Sequence, residues 1–178
     1  MCETLETHLK LSSDSVGPPI HSSGTGSTRC ALVSHLGDIK TTHTEEIKTF
    51  RSTTDPNIFE QSTTDIWNAI AKCTRSVLQQ SGLDDSFVKG IGFDATCSLA
   101  VCDSRGNSIT VTGGDGLGDV GERNVILWAD HRAWKEAKFI NSTGSDVLSF
   151  VGGTMSVRNP MLTSHPYSII QLILLLLS

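Results

Sequence analysis

Apolar residues recur along this chain in short runs, set apart by polar stretches rich in Ser, Thr and Gly. One interval has helical spacing: Ile66, Ile70, Cys73 and Val77 fall on a single face. Ser62-Thr63-Thr64-Asp65 precedes it as a start signal, because a Ser hydroxyl and an acid three residues on can satisfy free amides. Gly82 is placed to end the helix. Residues 28–34, Thr-Arg-Cys-Ala-Leu-Val-Ser, read as a strand. Leu36-Gly37-Asp38 signals a turn, and residues 39–50 can return as the hairpin partner. Asp55-Pro56-Asn57 is a loop.

Further along, residues 88–93 and 98–102 read as strands rich in Val, Ile, Leu and Phe, with a turn at 104–107 and another strand at 108–112. Residues 125–128 form a further apolar strand. A helix is expected over 131–140, with Ala133, Ala137 and Ile140 on one side. A short helical piece is expected over 147–151, ended by Gly152-Gly153. Residues 1–26, with Pro18-Pro19 among Ser, Thr and Gly, read as a poorly ordered leader or loop. The order of elements predicts an α/β fold with a mixed β-sheet and flanking helices.

With 178 residues, the chain has one domain's worth of material. The net charge of −5 gives no basic footprint, so nucleic acid is not an expected partner. Five cysteines, at positions 2, 30, 73, 97 and 102, include no Cys-x-x-Cys pair, and residues 1–10 are polar. Reduced thiols in a cytoplasmic protein follow as the expectation. The apolar run at 168–177 is about half of what a membrane span needs, so no stable membrane insertion is expected. Asn141-Ser142-Thr143 matches a glycosylation acceptor by spelling alone.

The candidate chemistry lies mainly between residues 90 and 132. There, apolar runs deliver Asp94 and Asp130, with Trp128 and Arg132 beside the second. A carboxylate accepts from neighbouring hydroxyls and an indole face covers the C–H side of a sugar, so the group suits a polyhydroxylated ligand. One residue at a time the plainer alternatives stand: Asp94 as a turn cap, Asp130 as a helix N-cap with Arg132 exposed, Trp128 as core. Ser23-Gly24-Thr25-Gly26-Ser27-Thr28-Arg29 is either a solvated linker or a phosphate cradle of amides, hydroxyls and one guanidinium. Gly116-Leu117-Gly118-Asp119-Val120-Gly121 spells the dinucleotide fingerprint, but a strand follows it where the fingerprint needs a helix. The histidines show no metal-ligand spacing.

Three longer segments together resemble the FGGY family of carbohydrate kinases, nearest to its pentulose (D-ribulose) kinase branch. They are Gly-Ile-Gly-Phe-Asp-Ala-Thr-Cys-Ser-Leu-Ala-Val-Cys-Asp at 90–103, Asn-Val-Ile-Leu-Trp-Ala-Asp-His-Arg-Ala at 124–133 and Val-Gly-Gly-Thr-Met-Ser at 151–156. Glu60-Gln61-Ser62-Thr63-Thr64-Asp65-Ile66-Trp67 resembles the family's first helix. The resemblance covers roughly residues 24–157. It implies an actin-like (ribonuclease H-like) ATPase fold, here an incomplete N-terminal domain. It also implies phosphoryl transfer from ATP, with Mg²⁺, to a sugar hydroxyl. Gly24, Thr25, Gly26, Ser27 and Arg29 would form the phosphate-binding hairpin. Asp94, Thr96, Trp128, Asp130 and Arg132 would lie in or beside the sugar pocket.

The expected organisation is a leader at 1–21, the kinase N-terminal domain at 22–157 and an unrelated apolar tail at 158–178. The family hairpin starts with an Asp two residues before the Gly-Thr pair, where this chain has Ser22. The resemblance places the catalytic Asp base and the second, adenine-binding domain beyond residue 178. General-base help is worth about 10²–10⁴ in rate, so the 178-residue chain is expected to be inactive alone and to bind ATP and Mg²⁺ unproductively. A non-catalytic sugar-binding or regulatory role is the alternative.

Overall fold

A computed structural model describes residues 16–23, 25–95 and 98–156, with the side chains of 16–23 and of Val147 outside the description. The expectations for Gly24, Thr96, residues 1–15 and the apolar tail therefore lie outside the described residues. Among those described, no helix is long and apolar enough to cross a membrane. The chain forms two units, one from the described residues of Met1–Thr49 and Ser62–Thr96, the other from those of Phe50–Gln61 and Cys97–Ser178.

The first unit is a four-stranded mixed sheet carrying one helix. Its strands are β1 (Val16–Ser23), β2 (Ser27–Ser34), β3 (Ile39–Glu46) and, after the helix, a short strand Gly92–Ala95. The spatial order is β3-β2-β1 and then Gly92–Ala95, which runs parallel to β1 while the other pairs are antiparallel. β1 corrects the expectation of a loose leader. Its polar, Pro-containing sequence has no strand signature, and it is a strand because ladders on both sides hold it. Its register slips between Val16 and Pro19, a bulge that tolerates the missing proline N–H.

β2 alternates: Thr28, Cys30 and Leu32 are buried, and Cys30 and Leu32 pack with Cys73 and Val77 of helix α1 (Thr63–Ser81). Gly37, at φ 93°, makes the turn into β3, and Ser34 Oγ accepts from the Asp38 amide at 3.1 Å. Burial of α1 centres on Ala69, Cys73 and Val77, with Ile66 and Ile70 half-buried. Ser62 caps the helix, accepting from the Asp65 amide at 3.3 Å, and Gly82 ends it at φ 66°. Asp65 does not reach back to the cap; its carboxylate accepts from the Lys48 amide at 2.8 Å and so ties the loop after β3 to the helix start. Replacing Ser62 with Ala is expected to lower stability by about 1 kcal/mol in urea unfolding followed by circular dichroism.

Burial pushes the Cys30 thiol up to about 12, and the neighbouring Cys73 thiol is also raised, chiefly by burial. Both are core residues, packed as small hydrophobes.

In the second unit, strands β4 (Phe50–Arg51) and β5 (Phe59–Gln61) come from the segment inserted before α1. With Gly92–Ala95 counted as β6, they are followed by β7 (Leu99–Ala100) and β8 (Val125–Ile126). The order is β4-β5-β8-β7, all antiparallel. Glu60 and Gln61 therefore belong to β5, and the helix starts at Thr63 behind the Ser62 cap, where its start signal puts it. Residues 108–112 are not a continuous strand; only isolated bridges form, Cys102 with Ser108 and Ile109 with Val120. The Gly116–Gly121 segment is a series of turns that opens no helix.

Helix α2 (Trp134–Ser142) starts three residues later than its pattern suggests, and the His131 amide ahead of it donates to the Asn57 carbonyl at 2.8 Å. Ala133, Ala137 and Ile140 do face inward, joined by Leu148 from a 3₁₀ segment, Asp146–Val151, that Gly152 ends. Asn141 is engaged twice by the Met155 backbone, at 3.0 and 2.7 Å, so its amide is a structural clamp.

Candidate functional site

The first unit holds the expected phosphate hairpin. β1 and β2 pair from Ser23 and Thr28 outward, which leaves the connection between them at the tip. Thr25 and Gly26 are exposed, and a Cβ built on Gly26 would meet nothing within 4 Å. The tip is held from behind: Ile47 donates its amide to the Gly26 carbonyl at 3.1 Å, and Thr49 Oγ1 donates to the Thr25 carbonyl at 3.2 Å. Both bonds use carbonyls of the tip as acceptors. Ser27 is half-buried at the foot of the hairpin.

Alternation sets the faces of this sheet. Cys30 and Leu32 face α1, so Arg29 is on the opposite face. Phe93 meets Trp67 of α1 edge-on, with ring centroids 5.8 Å apart, so Asp94, one residue on, also takes the face away from the helix. The registers of β2, β1 and β6 put Arg29, Ser22 and Asp94 in one cross-strand row. Arg29 is exposed and has no anionic partner among the described residues. Asp94 is half-buried, and its Oδ2 is fully buried with no hydrogen-bond partner.

An open glycine, a hydroxyl and a guanidinium fit phosphate oxygens. A divalent cation carried on a nucleotide keeps most of its waters and asks for one or two carboxylates, which the orphaned Asp94 oxygen can supply. No cluster of three or more His, Cys, Asp or Glu is present among the described residues, so an all-protein metal cage does not form there.

The second unit brings together Asp130 and Arg132, with a third group that local spacing did not reveal, Glu60. Arg132 Nη2 donates to Glu60 Oε1 at 2.8 Å and to Asp130 Oδ2 at 2.7 Å, while Nε donates to Asp130 Oδ1 at 2.9 Å. Its Nη1 donates to the Val111 carbonyl at 2.7 Å. Asp130 also accepts from the amides of Phe59 at 2.8 Å and Arg132 at 2.9 Å. Thr112 Oγ1 donates to Glu60 Oε2 at 2.7 Å. Glu60 and Asp130 are each 1% exposed. Burial alone lowers the Arg132 guanidinium, but the hydrogen bonds and charges of Asp130 and Glu60 outweigh it and hold the pKa above its usual value.

Neither plain alternative for these two residues describes them. Ala133, not Asp130, is the residue that precedes α2, and Arg132 is not exposed. A carboxylate has about four acceptor positions, and Asp130 fills them inside the unit. Asp130 is thus placed to fix Arg132 and the 57–61 segment, with no oxygen left for a sugar hydroxyl. Trp128 is half-buried, and its amide donates to Ser98 Oγ at 3.3 Å.

Comparison with known proteins fits this picture. The sequence model of the FGGY family of carbohydrate kinases, N-terminal domain, matches residues 22–167. A D-ribulokinase of Saccharomyces cerevisiae is 42% identical over 135 residues, which are 76% of this chain and 18% of that protein. The human FGGY carbohydrate kinase domain-containing protein is 43% identical over 135 residues, 76% of this chain and 23% of its own length. The chain therefore spans about a fifth of the curated relatives it matches. Among solved structures, a gluconate kinase from Lactobacillus acidophilus superposes with a TM-score of 0.59 at 18% identity, over 73% of this chain and 23% of that one. A xylulose kinase from Rhodospirillum rubrum does so with a TM-score of 0.57 at 17% identity, over 77% and 24%. The shared fold is that of actin-like sugar kinases.

Proposed function

Because the chain belongs to the FGGY family of carbohydrate kinases, we propose that it supplies part of the sugar- and phosphate-binding machinery for ATP-dependent phosphorylation of a pentulose such as D-ribulose. The observation that carries the substrate class is the 42% identity over 135 residues with a D-ribulokinase. ATP would supply the phosphoryl group and Mg²⁺ would offset its charge.

The chain's own residues bind and orient. Gly24, Thr25, Gly26 and Ser27 offer backbone amides and hydroxyls to phosphate oxygens, and Arg29 adds a fork of donors. Trp128 offers its indole face to the C–H side of the sugar, and Thr96 offers a hydroxyl. Asp130 acts on the sugar indirectly, by holding Arg132, and Arg132 in turn braces the strand that carries Glu60. Both are positioning residues in this reading. The proposal includes a cytoplasmic location, in keeping with Cys30, Cys73 and Cys102 being outside any disulfide among the described residues.

Binding of the acceptor can be measured directly. In a W67F/W134F background only Trp128 fluoresces, and D-ribulose is expected to change its emission saturably in the millimolar range. W128A is expected to weaken D-ribulose binding by about tenfold in calorimetry, the size of one lost aromatic contact. Unchanged emission at saturating sugar, together with unchanged affinity in W128A, would remove Trp128 from the sugar site.

A further inference from the structure

We propose that Asp94 is the carboxylate that holds the hydrated divalent cation of a nucleotide bound at the β1–β2 hairpin, with Arg29 holding the phosphate itself. The proposal rests on the kinase reading above and assigns a residue to the metal side of that site.

Arg29, Ser22 and Asp94 occupy one row across three neighbouring strands. Strand spacing puts the ends of this row about 9.5 Å apart at the backbone. The row lies on the face that α1 leaves uncovered, one strand position below the last pair of the hairpin, Ser23 with Thr28. Its two ends carry opposite charges, and both lack partners. Arg29 has no anion among the described residues, and Asp94 Oδ2 is buried without a donor.

A buried carboxylate oxygen with no hydrogen bond is costly, so a folded chain keeps one where a ligand completes it. A neutral sugar hydroxyl would complete Asp94 and leave Arg29 unused. A phosphate alone would complete Arg29 and be repelled by Asp94. A phosphate carrying a hydrated divalent cation completes both, with the anion toward Arg29 and the metal waters donating to Asp94.

The position between them is Ser22, where the resemblance expects an Asp. A hydroxyl brings no charge toward a cation, and the carboxylate next to that position in register, on β6, is Asp94.

Calorimetry with ADP, with and without Mg²⁺, and Mn²⁺ electron paramagnetic resonance on the 178-residue chain test this without turnover. The metal is expected to tighten ADP binding, and D94N is expected to erase that gain, about 10–100-fold, while metal-free ADP binds as before. S22D/D94N, which places the carboxylate on β1 instead, is expected to restore it and serves as the folding control. R29M is expected to weaken ADP in both conditions. A metal gain that survives in D94N, or one absent from the unsubstituted chain that binds ADP, would overturn the proposal. So would a D94N variant that loses D-ribulose affinity and keeps its metal gain. No ADP binding in either condition would instead remove nucleotide binding from the hairpin of this chain, and this assignment with it.

Discussion

The variant R132M is expected to destabilise the second unit by about 3–5 kcal/mol. The cost does not arise from the ion pairs as attractive contacts. It arises because Glu60 and Asp130, each 1% exposed, would be left in a buried setting with no cation beside them. Urea unfolding gives the total, and amide exchange at Phe59, which donates to Asp130, localises it. R132K is expected to recover only part of the loss, since an ammonium cannot serve Glu60, Asp130 and the Val111 carbonyl at once. The triple variant E60Q/D130N/R132M is expected to be more stable than R132M, because no unpaired charge remains. A triple variant as unstable as R132M would show that shape, not charge, sets the cost.

The second large effect belongs to the first unit. Leu32 is fully buried against Cys30, Cys73 and Val77, with Leu83 and Val88 packed on the same cluster. L32A is expected to cost about 2–5 kcal/mol, from lost transfer energy and the cavity left between β2 and α1. Exchange should accelerate at the α1 amides of Cys73 and Val77, which sit over that cavity. L36A is the matched control: Leu36 is 76% exposed in the β2–β3 turn, and its loss is expected to stay within about 0.5 kcal/mol. Equal costs for the two would mean that the α1 face is not the core.

The elements legible in the sequence were those whose signal is local. Helix α1 carries its own period, its Ser62 cap and its Gly82 stop, and all three are in place. The β2–β3 hairpin announces itself through an apolar run and a Gly turn. Elements that depend on distant partners are not legible in the same way. β1 has Pro18-Pro19 and little apolar content, and only pairing with β2 and β6 makes it a strand. Residues 88–91 look like a strand and are not one, because β6 first finds its partner at Gly92, opposite Ile20. The site shows the same division. Asp130 and Arg132 are two residues apart and could be singled out as a pair, whereas Glu60 was visible only as part of a family motif. Its role as the second anion depends on a sheet that joins β5 to β8. Asp94 could be named from its place after an apolar run, but its unpartnered oxygen and its row-mates are facts of register.

The insertion of β4 and β5 ahead of α1 has a consequence in time. Glu60 precedes Arg132 by 72 residues, so during synthesis its partner arrives late. At about 5–20 residues per second, roughly 4–14 s separate the two on the ribosome. β1 waits similarly for β6, and until then its outer edge is open. A nascent chain of this family is therefore exposed to wrong pairings for seconds after α1 has formed, and its early segments depend on strands not yet made.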